Sequence, residues 1–479
     1  MEAYGKQFIA GEWRSGSGKS ELADINPFTS AELYRYTGAN EADVDAAYQA
    51  AAKAQKSWGH SSPNEVRAAL EKLLATFIAS KDEIFAVLAE ESGAAFIKAS
   101  VEFDICLDII RHSMFFPLRM SGKISPSNTP GKENYIYRNP KGVIGVIAPW
   151  NFPFGLAMRS VIPALATGNG VVLKPSTDTP ASAMLLGKII EKTGAFPKGI
   201  FSAIAGRGSD IGDAFVKHPI ASVISFTGST EVGRHIGEVA GRHLKDIALE
   251  LGGNNVMIVL NDANIEKAAK AAAFGAFFHS GQICMSLNRI ILTDQIHDRF
   301  VEAFVEESKL LKAGDPLEHS NFLGALINRP QLEGVSNLVK GSIAAGAKVA
   351  LEGKISGNVM TPCILTSVTN TMQTACCEVF GPVASVIKVA NEDEAISLAN
   401  DTEYGLSGSI FTEDLFRGIQ IAKRVETGMI HINDQSINDE AHVMFGGVKA
   451  SGVGHFNDQW VVDKFTNDQW ISVQSTHRF

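Results

Sequence analysis

The sequence predicts an α/β protein with at least two domains, and three observations support this. The 479 residues exceed what one hydrophobic core usually serves. From Lys141 onward, apolar runs of four to six residues alternate with helical segments. A second series of the same kind begins after Gly253. Such alternation is typical of parallel sheets whose two faces are buried by crossover helices.

Composition and charge exclude several classes of protein. With 45% hydrophobic and 20% charged residues, the chain has the composition of an ordinary soluble globular protein. The formal net charge of -9 is spread along the chain without long acidic or basic runs. This distribution favours solubility and argues against a nucleic-acid partner.

Cysteine usage and the apolar segments indicate a cytoplasmic protein without a membrane span. The N-terminus, Met1 to Lys6, lacks the basic start and apolar core of a signal peptide. The apolar region from 142 to 173 is interrupted by prolines and polar residues, so strands and a helix are expected there. The five cysteines have no C-x-x-C spacing, which predicts neither a disulfide framework nor a metal site and fits a reducing compartment: Cys106, Cys284, Cys363, Cys376 and Cys377.

The first 140 residues precede the α/β alternation. Residues 1 to about 40 read as short strands and turns. Residues 41–116 carry apolar side chains at helical spacing, as in Leu70, Leu73, Phe77 and Ile78. Residues 121–139, rich in Ser, Pro, Asn and Gly, predict an extended arm that leaves the domain body.

The first series of strands predicts a dinucleotide-binding type of domain. Its apolar runs lie at 143–148, 170–173, 200–204 and 223–226. One crossover helix is well punctuated, because Thr179 can cap it, Pro180 opens it and Gly194 follows its end. The second series predicts another α/β domain, with a weakly alternating tail from Phe465 that suggests a terminal strand. Its runs lie at 256–260, 289–292, 348–351, 383–387 and 408–411, with a helix over 264–278.

A candidate phosphate-binding turn follows the strand at 223–226. Gly228, Ser229 and Gly233 open a helix there, so backbone N–H groups could face a pyrophosphate. The two glycines stand five residues apart instead of forming the usual triad, so an ordinary strand-to-helix turn is the alternative. Lys174 and Ser176, at the end of the second strand, offer a cation and a hydroxyl where adenosine ribose would lie. The alternative for Lys174 is a solvated strand end.

Three residues could carry nucleophilic chemistry. Cys284 follows a Gly-Gln-Ile turn and could present a thiolate, although a lone cysteine often only packs. Glu250 ends an apolar run before two glycines, so burial should raise its pKa toward the range of a general base. A helix cap or an ion pair is the alternative. The amide of Asn151 and the N–H of Cys284 could stabilise an oxyanion formed by addition to a carbonyl.

The sequence resembles the aldehyde dehydrogenase superfamily over essentially the whole chain. Seven segments occur in the order of that family. They are Pro149-Trp150-Asn151-Phe152-Pro153, Lys174-Pro175-Ser176, Phe226 to Gly233, Leu249 to Gly253, Gly281-Gln282-Ile283-Cys284, Glu378-Val379-Phe380-Gly381-Pro382 and Phe445 to Lys449.

The resemblance implies a Rossmann-type dinucleotide-binding domain over 1–120 and 140–251 and a catalytic α/β domain over 252–447. It also implies a small bridging β element from 121–139 and 462–479 that forms a homodimer or homotetramer. Cys284 would form a thiohemiacetal and then a thioester, held by Asn151, and water activated by Glu250 would release the acid.

The resemblance also implies the cofactor site. Glu378 would hold the nicotinamide ribose, Phe380 would pack near the ring and Ser229 would contact the pyrophosphate. The other expected cofactor contacts are Trp150, Lys174, Ser176, Gly228, Gly233 and Leu251. Where NAD-preferring members commonly carry a carboxylate, this chain has Thr177, followed by Asp178. NAD is the expected cofactor. Because a neutral residue does not repel a 2′-phosphate, NADP is expected to be tolerated as well.

The substrate is expected to be an aromatic aldehyde. Residues 432–440 and 446–452 are similar to the benzaldehyde, vanillin and salicylaldehyde dehydrogenases. Phe152, Arg159, Ile283 and Phe445 are expected to line the substrate pocket. Arg159 leaves two alternatives open, since it could bind the carboxylate of a semialdehyde or form an ion pair on a helix surface.

Other functions fit the residues less well. A CoA-acylating relative usually lacks the general base, whereas Glu250 is present. A non-catalytic nucleotide-binding relative would be expected to lack Cys284 or Glu250. No metal, nucleic-acid or membrane partner is predicted, and Cys376 and Cys377 are assigned no role beyond packing.

Overall fold

The computed structural model describes residue 1 and residues 4–475. Residues 476–479, which belong to the C-terminal strand region predicted over 462–479, lie outside the described residues, as do residues 2 and 3.

Short strands and then helices form the N-terminal part. The strands are β1 (Gln7–Ile9), β2 (Glu12–Arg14), β3 (Glu21–Ile25) and β4 (Glu32–Thr37), and the helices are α1 (Glu41–Trp58), α2 (Pro63–Ala79), α3 (Lys81–Ser92), α4 (Phe96–Ser113) and α5 (Phe116–Arg119). Asn40 caps α1, and Ser62 forms a capping box with Glu65 at α2. Leu70, Leu73 and Phe77 are buried as expected, whereas Ile78 is exposed.

The first α/β series follows the arm. Its elements are β5 (Lys123–Ser125), β6 (Lys132–Pro140), β7 (Val143–Ile147), α6 (Gly155–Ala166), β8 (Gly170–Lys174), α7 (Pro180–Thr193), β9 (Phe201–Ala203), α8 (Gly208–Lys217), β10 (Ala221–Thr227), α9 (Thr230–Arg242) and β11 (Asp246–Glu250).

The second series and the C-terminal part complete the chain. Their elements are β12 (Asn255–Val259), α10 (Ile265–Phe277), a 3-10 turn (Phe278–Gly281), β13 (Leu287–Thr293), α11 (Asp294–Lys309), α12 (Arg329–Ala344), β14 (Lys348–Leu351), β15 (Ile355–Ser356), β16 (Val359–Met360), β17 (Cys363–Thr366), α13 (Gln373–Cys376), β18 (Val383–Val389), α14 (Glu392–Asn400), β19 (Gly408–Phe411), α15 (Leu415–Ala422), β20 (His431–Ile432), a 3-10 turn (Lys449–Ser451), β21 (Gly452–Val453), α16 (Asp458–Phe465) and β22 (Thr466–Gln474).

Two large sheets organise these elements. The first has the order β2-β1-β9-β8-β7-β10-β11-β21, and the second has the order β14-β17-β18-β13-β12-β19-β20. The central strands of both sheets run parallel, while β1, β2, β14 and β21 add antiparallel edges. Apolar clusters cover both faces of each sheet. The two predicted α/β sheets are therefore present, whereas the domain boundaries proposed from the sequence remain predictions.

The arm pairs with the C-terminal strand. β6 pairs along its whole length with β22 and also pairs with β5, which gives a three-stranded antiparallel sheet. Several apolar side chains on this sheet face solvent, among them Ile124, Tyr137 and Trp470. No helix within the described residues is both long enough and apolar enough to cross a membrane.

The start of α7 differs from the expected capping. Thr179 occupies the N-cap position, but its hydroxyl makes no hydrogen bond there. The buried carboxylate of Glu91 instead accepts the backbone N–H of Ala181 and that of Ser182, the latter at 2.9 Å. A side chain from α3 therefore caps this helix, while Gly194 follows its end as predicted and has a left-handed conformation.

Candidate active site

Two cavities meet at Cys284. The first, the glycine-lined cleft, is bordered by Gly228, Ser229, Leu251, Gly252, Glu378 and Phe380 and lies against the carboxyl ends of β10 and β11. The second, the aromatic pocket, is bordered by Phe152, Phe274, Phe278 and Phe445 together with Arg159. Asn151, Leu156 and Cys284 border both cavities. The predicted nucleophile therefore lies where the two cavities join.

A strained turn places Cys284 at this junction. His279, Ser280 and Gly281 have positive φ angles of 50°, 55° and 69°. A Cβ atom on Gly281 would overlap the carbonyl oxygen of Gly381, so only glycine fits there. Beyond the turn, the carbonyl of Cys284 accepts a hydrogen bond of 2.7 Å from the amide of Asn255. Such strain is common at functional sites and holds the thiol at a fixed position.

The protein alone does not lower the pKa of the Cys284 thiol. Burial raises the pKa of Cys284 to about 12, and the carboxylates of Glu250, Glu378 and Asp439 act in the same direction. The guanidinium of Arg159 opposes this shift but does not outweigh burial. The protein alone therefore favours the neutral thiol.

Glu250 ends β11 as a buried, unpaired carboxyl group. The residue is 1% exposed, and neither carboxylate oxygen has a hydrogen-bond partner. Burial raises the pKa of Glu250 to about 8, with Arg159 lowering it and Asp439 raising it. A carboxyl group with this pKa can exchange a proton near neutral pH. The helix cap and the ion pair considered for Glu250 are both absent from the described structure.

Asn151 is held from two directions. Its side-chain N–H donates to the carbonyl of Gln282 at 2.9 Å. The loop that carries Asn151 leads into α6, whose first N–H groups, on Phe154 and Gly155, donate to one oxygen of Glu102 at 2.8 and 2.9 Å. One amide N–H of Asn151 is thus engaged by the segment before Cys284. The second N–H has no hydrogen-bond partner among the described residues.

Glu102 is itself part of a fully buried ion pair. Its other oxygen lies 2.5 Å from the ammonium of Lys98, one helical turn earlier. The ammonium lies 4.5 Å from the centre of the Phe152 ring, which borders the aromatic pocket. The pair therefore supports both the Asn151 loop and a wall of the pocket.

We expect Glu102→Gln to lower the free energy of unfolding by about 3–5 kcal/mol, because it leaves the buried ammonium of Lys98 without a counter-charge. Urea denaturation followed by circular dichroism measures the change. Adding Lys98→Met removes the orphaned charge, so the double variant should regain most of the lost stability. A double variant no more stable than Glu102→Gln would contradict the prediction.

The glycine-lined cleft has the features that a dinucleotide requires. Ser229 caps the 13-residue helix α9, so the first N–H groups of α9 face the cleft. Two glycines of the cleft region pack closely against side chains. A Cβ atom on Gly233 would overlap Leu251, and a Cβ atom on Gly252 would overlap Glu378. Gly233 is thus required for packing and does not itself border the cleft.

Other groups of the cleft fit a nicotinamide ribose and ring. Glu378 accepts a 3.0 Å hydrogen bond from the N–H of Gly253, and burial raises the pKa of Glu378 to about 7. Trp150 and Phe380 meet edge to face with ring centres 5.3 Å apart. Both rings border the cleft near Cys284. The residues predicted to hold the reactive end of the cofactor are therefore brought together.

The residues expected near adenosine are only partly brought together. Lys174 is buried rather than solvated, burial lowers its pKa to about 8, and its ammonium donates only to the carbonyl of Pro175. It borders a separate cavity beside α9 that also includes Val232. Ser176 instead bonds Asp178 within its own turn, and Asp178 also accepts from Asn328. Both carboxylate oxygens of Asp178 are therefore hydrogen-bonded within the protein.

Arg159 lies in the aromatic pocket and not on a helix surface. It is 5% exposed, because every residue of α6 is buried. Its guanidinium pairs with Asp439 at 2.5 Å and stacks 3.9 Å from the centre of the Phe445 ring. The predicted ion pair exists, but it is buried inside the pocket, and Nε and Nη1 of Arg159 have no hydrogen-bond partner among the described residues.

Sequence reasoning missed part of the pocket wall. Val101 and Ile105 come from α4 and lie on the same helical face as Lys98 and Glu102. Phe274, one helical turn before Phe278, comes from α10. Spacings of three and four residues mark both faces, but the same spacing is expected of ordinary core packing.

Comparison with known proteins agrees with this geometry. A model of the aldehyde dehydrogenase family matches residues 13–471. A benzaldehyde dehydrogenase of Bacillus subtilis (strain 168) is 46% identical over 478 residues, covering 100% of this chain and 98% of the relative. A vanillin dehydrogenase of Corynebacterium glutamicum is 46% identical over 472 residues, covering 98% and 97%.

A solved structure has the same fold. The crystal structure of a NAD-dependent benzaldehyde dehydrogenase from Corynebacterium glutamicum superposes with a TM-score of 0.90 at 43% identity, covering 98% of each chain. The resemblance and the fold class predicted from the sequence are confirmed.

Proposed function

The chain belongs to the aldehyde dehydrogenase family, and we propose that it oxidises aromatic aldehydes to carboxylic acids with NAD as the preferred cofactor. The observation that carries the substrate proposal is the aromatic pocket beside Cys284. Its walls come from four phenylalanines and from aliphatic side chains such as Val101 and Ile437. The charge of Arg159 within it is paired with Asp439. A flat, uncharged ring suits this lining.

The first step is addition of the Cys284 sulfur to the aldehyde carbon. The thiol passes its proton to water as the new C–S bond forms, which gives a thiohemiacetal whose former carbonyl oxygen is an oxyanion. The free amide N–H of Asn151 and the backbone N–H of Cys284 would donate to this oxygen. Each donor of this kind is typically worth about 3–4 kcal/mol in the transition state. The anchoring of Asn151 to Gln282 means that little reorganisation is needed.

The remaining steps use Glu250 and the residues of the glycine-lined cleft. NAD held in this cleft would supply the acceptor for the hydride of the thiohemiacetal carbon, and a thioester would then remain on Cys284. Ser229, Glu378 and Phe380 would hold the dinucleotide. Glu250 would then take a proton from water as the water oxygen attacks the thioester, and the acid and the Cys284 thiolate would be released.

Cofactor preference follows from the turn at 174–178. Thr177 carries no charge that would repel a 2′-phosphate, and Asp178 is engaged by Ser176 and Asn328. The crystallised benzaldehyde dehydrogenase of similar fold is NAD-dependent. NAD is therefore proposed as the main cofactor, with NADP also used.

Initial rates with benzaldehyde, vanillin and succinic semialdehyde, each with NAD and with NADP, test the proposal. Higher kcat/KM for the two aryl aldehydes is expected, with NAD favoured over NADP. A preference for succinic semialdehyde would contradict the aromatic assignment while leaving the family unchanged.

Arg159→Met is expected to lower kcat/KM for benzaldehyde and for succinic semialdehyde by similar factors. The arginine is already neutralised by Asp439, so its loss should not selectively remove a carboxylate partner. Steady-state kinetics of both substrates measure the ratio.

Asp439→Asn is the complementary variant, because it keeps Arg159 but removes the carboxylate that pairs with it. This variant should gain semialdehyde activity relative to wild type, since the unpaired guanidinium can then bind a carboxylate. A loss in Arg159→Met that is about 100-fold greater for the semialdehyde, or roughly 2.7 kcal/mol, would show that Arg159 serves that substrate.

Two other functions are less well supported. Release of the acyl group by CoA would leave the buried Glu250 beside Cys284 without a task. A non-catalytic nucleotide-binding protein would not need a thiol, a carboxyl group and an anchored amide at one junction. A cytoplasmic location is proposed because all five cysteines are free thiols.

We infer a homo-oligomer, dimer or tetramer, from the three-stranded sheet formed by β5, β6 and β22. Ile124, Tyr137 and Trp470 expose apolar surface on this sheet, with Ile124 at 72%. Such surface marks an interaction site in soluble proteins. An additional copy of the same chain is the proposed partner.

Ile124→Glu is expected to lower the oligomer mass measured by light scattering during size-exclusion chromatography, because a charge would enter the proposed interface. Phe416→Glu is the matched control, since Phe416 is 73% exposed on α15, outside the arm. Equal masses for wild type and Ile124→Glu would remove this sheet from the interface.

A further inference from the structure

Cys376 and Cys377 form a pair of neighbouring thiols for which the reaction has no use. Their sulfur atoms lie 3.6 Å apart at the end of α13. Cys376 is exposed and Cys377 is half-buried, whereas Cys106 and Cys363 are buried elsewhere. Among the described residues, no other two cysteine thiols lie within hydrogen-bonding distance of each other.

The pair is joined directly to the glycine-lined cleft. Glu378 is the next residue, and its carboxylate is held by the N–H of Gly253. The carbonyl of Cys377 accepts a 3.1 Å hydrogen bond from Asn288. A group that bridges the two sulfurs would therefore lie one residue away from a side chain that is fixed in the cleft.

We propose that Cys376 and Cys377 form a chelating site for one trivalent organoarsenical, R–As=O, and that occupation of this site weakens dinucleotide binding. The second clause rests on the proposed role of Glu378. Two As–S bonds form, the As=O bond breaks, and both thiol protons leave with the oxygen as water. Arsenic stays trivalent, so no oxidant is needed. Two soft sulfur ligands held on one segment bind such a centre better than one.

Phenylarsine oxide tests the site in the full-length Cys284→Ser variant, which removes the thiol of the catalytic junction. Mass spectrometry should find one adduct per chain that a dithiol removes. Adding Cys376→Ser or Cys377→Ser should weaken binding at least about tenfold, equivalent to 1.4 kcal/mol. Equal binding in these variants would overturn the site.

The effect on the cofactor is measured in the same protein. Fluorescence titration should give a Kd for NAD that rises several-fold when the adduct is present. An unchanged Kd would overturn the coupling to Glu378. Failure to bind NAD without the arsenical would instead contradict the proposed cofactor site, so the two failures are distinguishable.

A separate observation concerns the space beside Glu250. A Cβ on Gly446 would overlap Nδ1 of His455 and would lie 3.3 Å from Oε1 of Glu250. Both atoms therefore lie close to the same side of Gly446. Nδ1 of His455 and both oxygens of Glu250 are buried without a hydrogen-bond partner. The imidazole is only partly buried, so it extends from this space toward the surface.

A buried general base must lose its proton in every turnover. Glu250 is 1% exposed, and the other charged groups near it, Arg159 and Asp439, are paired with each other. Lys464, beside Gly454, is paired with Asp246. We propose that His455 carries the proton of Glu250 to solvent through a water molecule beside Gly446. Imidazole can accept a proton at one nitrogen while it releases one at the other.

This relay rests on the proposed role of Glu250, and His455→Gln and Gly446→Ala test it. Both should lower kcat about tenfold in dilute buffer, while the pre-steady-state burst of reduced cofactor stays unchanged. Added imidazole should restore kcat in His455→Gln. An unchanged kcat, or a loss that imidazole does not restore, would overturn the relay. A Glu250→Gln variant that turns over normally would instead contradict the base itself.

Discussion

Cys284→Ala is expected to lower kcat/KM for benzaldehyde by at least about 10⁴-fold, as removal of a nucleophile does in other covalent enzymes. The sulfur is the atom that forms the bond to the aldehyde, and the thiol is the one at the junction of the two cavities. The Kd for NAD should change by less than about twofold, since the cofactor residues are untouched. Absorbance of reduced cofactor and fluorescence titration measure the two quantities.

Cys363→Ala is the control for this substitution. Cys363 is buried in β17, within an apolar cluster of the second sheet, so its loss should reduce stability without reducing kcat. Residual activity of Cys284→Ala close to wild type would remove Cys284 from the mechanism. A large change in the Kd for NAD would mean that the variant had altered the cleft.

Residues that act through local motifs were predictable from the sequence. Glu250 lies two residues before Gly252, Cys284 lies three residues after the left-handed Gly281, and a proline stands two residues to either side of Asn151. The alternation of apolar runs likewise predicted most of the parallel strands of both sheets, but it missed β17, and the run at 348–351 is the antiparallel edge strand β14. These features depend on neighbours in the chain, and the periodicity of side chains records them.

Contacts between distant segments were not predictable. Arg159 and Asp439 are 280 positions apart, and Glu102 reaches a backbone N–H 52 positions away. Glu91 replaces Thr179 as the cap of α7 for the same reason. A helical pattern shows which face is buried, but it does not show which distant group that face meets.

The pKa of Cys284 illustrates the same limit for electrostatics. Backbone donors and the cationic ring of a bound cofactor are expected to lower this pKa, whereas burial and three carboxylates of the protein raise it. Each of those carboxylates comes from a different part of the chain. Electrostatic shifts sum over all neighbours in space, so they require the fold.

Glu250→Gln is expected to lower kcat about 10²- to 10⁴-fold, the range usual for loss of a general base. Glutamine keeps the size of the side chain but cannot take a proton from water. The acyl group should therefore remain on Cys284, and mass spectrometry of the quenched reaction should find the aroyl thioester. The burst of reduced cofactor should persist, because hydride transfer precedes the step that needs Glu250.

The pH dependence distinguishes this role from a structural one. The pKa of Glu250 is raised to about 8, so the carboxylate form, which acts as the base, increases as the pH rises from 7 to 9. Acyl-enzyme hydrolysis in the wild type should therefore accelerate over this range, and Glu250→Gln should lose that acceleration. Glu266→Gln is the matched control, since Glu266 lies in the first turn of α10, away from both cavities. Normal thioester turnover in Glu250→Gln would mean that another group activates the water.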